Sequence, residues 1–151
     1  MKNLYQLERV EEVKRRLNHL YPDSPRQWGT MTAPQAVAHC SGGLEMALGE
    51  LPPERLFLGR IIGRIIKPLV FGDDAPMRRN SPTIKALIVL QDELDLDFER
   101  VRLVGLIDRF ATAGTSGCTT LPHSFFGKLT PEQWAILMYK HLDHHLRQFG
   151  T

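Results

Sequence analysis

Residues 130–150 read TPEQWAILMYKHLDHHLRQFG, and this stretch decides both the fold class and where to look for chemistry. Thr130 and Gln133 stand three apart with Pro131 between them, the pattern of a capping box that opens a helix with proline at its first position. From there Trp134, Leu137, Met138, His141, His145 and Gln148 recur at helical spacing and form one inward face. A helix turns by about 100° per residue, so His141 and His145 lie one turn apart on that face, close enough to share an ion. Buried imidazole nitrogens need partners, and two ways of supplying them stay open: a metal ion, or hydrogen bonds to neighbouring helices.

Working outward, Thr32 and Gln35 form a second capping box and predict a helix over residues 33–48. Its apolar stripe is Ala36, Val37, Cys40, Leu44, Ala47 and Leu48, with His39 at the edge. Gly43, one turn on, reads as room for the His39 imidazole. His39 is positioned to complete a three-imidazole site that leaves a coordination position open.

Three more segments have helical periodicity. Residues 3–20 place Leu4, Leu7, Val10, Val13, Leu17 and Leu20 inward. Residues 54–71 place Phe57, Ile61, Ile62, Ile65, Ile66 and Leu69 inward and Arg60, Arg64 and Lys67 outward, with Pro68 expected to kink or end the helix. Residues 98–113, capped by Asp97, place Val101, Val104, Ile107 and Phe110 inward. Residues 72–82 and the run GTSGCTTLPHSFFG have loop chemistry, and TIKALIVL between Thr83 and Leu90 fits either an extended segment or a short helix. No convincing alternation marks a set of strands. The expected fold is all-α: an antiparallel-type four-helix bundle with long connecting loops, in one domain over residues 1–151.

With 151 residues, 42% of them apolar, the chain can bury a real core. Its 19 basic and 17 acidic residues nearly balance, which argues against nucleic acid as a partner. Two cysteines, Cys40 and Cys118, make no CxxC pair and fit a reducing cytoplasm. The N-terminal segment is charged throughout and lacks a secretory pattern, and IIGRIIKPLVF is too short and too charged to span a bilayer. A soluble, cytoplasmic protein without integral membrane association is expected.

The segments WGTMTAPQAVAHC (28–40), FFGKLTPEQW (125–134) and YKHLDHHLRQFG (139–150) carry a resemblance. With them the chain resembles the DinB/YfiT-like superfamily of small four-helix metalloenzymes, and within it a subgroup closing on HLDHHLRQFG. The resemblance runs over nearly the whole chain. It implies that one histidine of the second helix and two, four apart, of the last helix hold a divalent metal, here His39, His141 and His145. It also implies zinc or nickel as the ion, and relatives that are thiol S-transferases or thiol-dependent isomerases using a low-molecular-weight thiol.

The leading expectation is thus a metal-dependent, S-transferase-like enzyme acting on a small-molecule substrate. A metal-dependent hydrolase is the nearest alternative, and a non-catalytic metal- or ligand-binding protein that pairs as a homodimer is the third. No general acid or base is assigned, although Glu45 and Asp108 are carboxylates to test. His144 is read either as a supporting or loop-facing group that Gln148 would orient or as an ordinary hydrogen-bonded histidine, and His123 as a loop histidine that overhangs the ion or is only structural or solvated. Asp143 points away from His141 and should pair with Lys140 or Arg147. His19 reads as a partner of its helix dipole, and Cys40 as buried packing.

Overall fold

In the computed structural model the described residues are 1–52 and 57–151, with the backbone only of 57–62 and 64. Five α-helices follow one another: α1 (Leu7–Asn18), α2 (Ala33–Leu48), α3 (Phe57–Phe71), α4 (Leu96–Ala113) and α5 (Pro131–Gln148). Among the described residues there is no strand; single 3-10 turns occur at Lys85–Leu87 and Gly114–Gly117. The chain is an all-α bundle. Helices α1, α4, α2 and α5 pack in a closed ring, and α3 leans on α5 from outside.

Two helices start where their sequence says they should. Thr32 Oγ1 accepts from Gln35 N–H while Thr32 N–H donates to Gln35 Oε1 at 2.9 Å, and Thr130 and Gln133 repeat the exchange at α5. Gly49 ends α2 in the left-handed conformation at φ +82°, which a glycine adopts without strain. These two well-fixed helices carry all three histidines of interest.

Other expectations shift by part of a turn. Helix α4 is capped by Asp95, not Asp97, because Asp95 Oδ1 reaches the amides of both Asp97 and Phe98. Leu96, Leu103, Leu106, Ile107 and Phe110 are therefore buried, whereas Val101 is 74% exposed and Val104 only half-buried. Helix α1 begins at Leu7, which is exposed, and Leu4 fills the core from the preceding turn with its N–H on the Ala135 carbonyl. On α3, Ile65 and Leu69 face outward, and Val70 and Phe71 pack on the core instead. Pro68 lies inside α3, which ends three residues later. The assignments made for Phe57, Arg60, Ile61, Ile62 and Arg64 fall outside the described side chains.

Helix α5 is the hub. Trp134, Ala135, Leu137, Met138, Tyr139, Leu142 and Leu146 are buried on more than one side, each large apolar side chain contributing about 1.5–3 kcal/mol. Its charges are tied down: Asp143 accepts from Arg16 and from Arg147, both at 2.8 Å, and the buried Lys140 donates to the Val70 carbonyl at the end of α3. Lys140 thus clamps α3 and does not pair with Asp143. Among the described residues no helix is long and apolar enough to cross a membrane.

Candidate metal centre

His39 on α2 and His141 and His145 on α5 meet where the two helices pack, each offering one nitrogen, all within 4.8 Å of one another. Their ring centroids form a nearly equilateral triangle, with sides of 4.7, 4.8 and 4.8 Å. The rings stand at 71° to 83° to one another, edge towards face, an arrangement that aims nitrogens inward instead of stacking them.

Hydrogen bonds fix which nitrogens face inward. His39 Nδ1 lies 2.8 Å from the Leu87 carbonyl, which can only accept, so Nδ1 carries the proton and Nε2 keeps a lone pair. For His145 the argument runs through Gln148. The Gln148 amide donates from Nε2 to the Trp28 carbonyl at 2.8 Å, so its Oε1 faces His145 Nδ1 at 2.9 Å and accepts. His145 Nε2 is left as the free donor atom. An imidazole whose far nitrogen donates to a carbonyl is held in one tautomer and one orientation, as metal-binding histidines are.

His141 needs space more than a partner. A Cβ added at Gly43 would stand 3.0 Å from His141 Nδ1 and 3.2 Å from Cε1. Gly43 therefore makes room for His141 across the helix interface, and not for His39 on its own helix. Gly29, at φ +75°, plays a similar part for Gln148, because a Cβ there would fall 2.6 Å from Nε2.

His141 Nε2 and His39 Nε2 face each other at 2.8 Å. Two lone pairs cannot sit that close without a proton or a cation between them. A proton serves two nitrogens, whereas a cation serves all three. A tetrahedral ion with imidazole ligands at about 2.0–2.1 Å spaces those ligands about 3.3 Å apart, a value that lies between the 2.8 Å pair and the 4.8 Å limit of this cluster. The donor set fits a divalent ion of borderline softness with small ring rotations.

The electrostatics keep these rings neutral. Burial holds His39 below the ordinary imidazole value against the pull of the Leu87 carbonyl. Burial, reinforced by the neighbouring histidines, puts His141 well below it and His145 at about 3. Neutral imidazole is the form that ligates metal, so nothing has to be deprotonated first.

The remaining candidates sit around this centre. The His144 ring lies 5.1 Å from that of His145 and 5.5 Å from that of Trp28, at the edge of an open pocket. Gln148 orients His145, not His144 as expected. His123 has its Nδ1 engaged by the amides of Phe125 and Phe126 at 3.0 and 3.2 Å and pairs across its loop with Gly127. His19 caps the end of α1, and its Nδ1 lies 2.8 Å from the Arg15 carbonyl. Cys40 is buried in the core, and burial pushes its thiol far up. Glu45 and Asp108 are engaged by Arg102 and Lys14, so neither is a free carboxylate.

Two groups at the centre escaped sequence reasoning. The Leu87 carbonyl is a backbone atom of an irregular segment and has no signal in residue type. The Trp28 carbonyl is likewise a backbone group, although the Trp28-Gly29 pair did mark a turn.

No curated protein and no solved structure matches the chain. The family model DUF1569, described as a protein of unknown function, matches residues 2–151. The chain therefore belongs to the DUF1569 family, which lies within the DinB/YfiT-like superfamily.

Proposed function

We propose that His39, His141 and His145 hold one divalent metal ion, zinc or nickel, and that the protein is a metal-dependent S-transferase using a small thiol. The observation that carries this reading is the convergence of three neutral imidazoles, two of them locked by carbonyl acceptors into the tautomer that frees Nε2. A divalent ion held by three neutral ligands keeps its full charge and an open position, and it lowers the pKa of a thiol or water bound there.

The choice of thiol over water rests on what surrounds the histidines. Among the described residues the cluster contains no carboxylate, so a proton leaving a bound nucleophile falls to a neighbouring histidine. A thiol ionises far more readily than water and needs less help. His144, beside His145 and held neutral chiefly by burial, is the chain's own group for taking the thiol proton. Gln148 and the Leu87 carbonyl hold two of the rings in place, His39 buried at the α2–α5 interface and His145 at its partly exposed edge.

The test is a conjugation assay with zinc-loaded and nickel-loaded protein, a panel of small thiols and an aryl halide electrophile. Metal-dependent thioether formation is expected, and His145→Ala should abolish it with the helical circular dichroism retained. Metal-dependent ester or amide hydrolysis without conjugation would favour the hydrolase, and no turnover in either assay would favour a binding protein.

A further inference from the structure

On the outer side of His144 lies an open pocket of about 440 Å³ lined by Gln27, Trp28, Met77, Arg79, His144 and Arg147, among others. That volume suits a small organic molecule. We propose that it binds the oxyanion group, carboxylate or phosphate, of such a ligand.

The charge of the lining is one-sided. Two guanidinium groups border the pocket and no lining side chain is acidic. Arg79 lies over the Trp28 ring at 4.2 Å and makes no ion pair among the described residues. Stacking uses the face of the guanidinium and leaves its in-plane donors free for an anion. Arg147 gives only its Nε to Asp143, which leaves its terminal nitrogens free for another acceptor.

Trp28 and Met77 give the wall an apolar portion against which an organic body can lie, so planar oxyanion recognition by guanidinium forks has a hydrophobic complement.

This inference goes beyond the metal reading and needs no ion. The two sites nevertheless share one strut, because Gln148 joins the Trp28 carbonyl to His145.

The experiment titrates benzoate in one arm and phenyl phosphate in the other into chelator-stripped protein, by calorimetry. One saturable site per chain is expected, and the tighter arm names the head group. Arg79→Gln and Arg147→Gln should each weaken binding by about tenfold, while Arg15→Gln, at an exposed residue of α1 that does not line the pocket, should change it less than about twofold. Because the ion is absent throughout, failure of the metal reading leaves this outcome untouched. No saturation by either probe below about 10 mM, or unchanged affinity in both pocket variants, would overturn the proposal.

Discussion

Two kinds of buried histidine occur in this protein, and the contrast between them separates structure from chemistry. His123 is held down to about 4 by burial, yet its acceptor nitrogen takes two backbone amides from its own loop. Its needs are met locally, and it shapes the turn before α5. The inward nitrogens of His39, His141 and His145 instead face one another across two helices. A group satisfied by its own loop needs nothing more, whereas three nitrogens converging on one point form a candidate cation site.

The sharpest way to break this contrast is to truncate one residue of each kind. His141→Ala should weaken zinc binding by more than about 100-fold, measured by competition with a chelating dye, because it removes one of the three proposed ligands outright. His123→Ala should leave zinc affinity within a few-fold and lower the urea midpoint instead, by an amount equivalent to about 1–3 kcal/mol, since two loop amides lose their acceptor. The reverse pattern would mean that the two roles are exchanged.

The hydrogen bonds behind the ligands come next in size. Gln148→Ala frees the His145 ring and should cost about tenfold in zinc affinity, whereas His144→Ala should cost only a few-fold. Equal or larger losses at His144 would place the wrong histidine of the HLDHH run at the ion.

Acid should expose both kinds together. His123 and His145 have folded values of about 4 and about 3 against 6.5 for the free imidazole, so below about 6.5 the unfolded chain binds protons that the folded one refuses. Metal-free protein should therefore lose stability as the pH falls from about 6.5 towards 4, by about 1.4 kcal/mol per pH unit for each such histidine. Urea midpoints at pH 7.5 and pH 5 check the sign, and His123→Ala should flatten the slope. A midpoint that rises on acidification would contradict it.

The smallest effect tests the packing. Gly43→Ala presses on His141 and should lower zinc affinity by up to about tenfold, while an alanine in mid-helix otherwise favours the helix by about 1 kcal/mol.

The same contrast explains what the sequence could reveal. The starts of helices α2 and α5 were legible to the residue because each opens on a capping box, a local device that tertiary packing seldom overrides. The register of α4 was not, because the LDLD run offers two aspartates of equal chemistry and only the folded chain shows that Asp95 reaches the amides. Leu4 and Leu7 both fit the period of α1, and the core selected the one outside the helix. At the centre, the i, i+4 histidines and His39 could be read from residue type, spacing and family likeness. Their orientation could not, since it depends on two backbone carbonyls and on a glutamine that serves His145 instead of His144.

The central claim is that three imidazoles from two helices share one ion, and anomalous diffraction at the zinc edge tests it most directly on crystals of untagged, zinc-loaded protein. The account predicts one anomalous peak per chain among His39, His141 and His145, with nitrogens at about 2.0–2.1 Å. A peak elsewhere, or no peak together with the 2.8 Å contact between His39 and His141 intact, would contradict it.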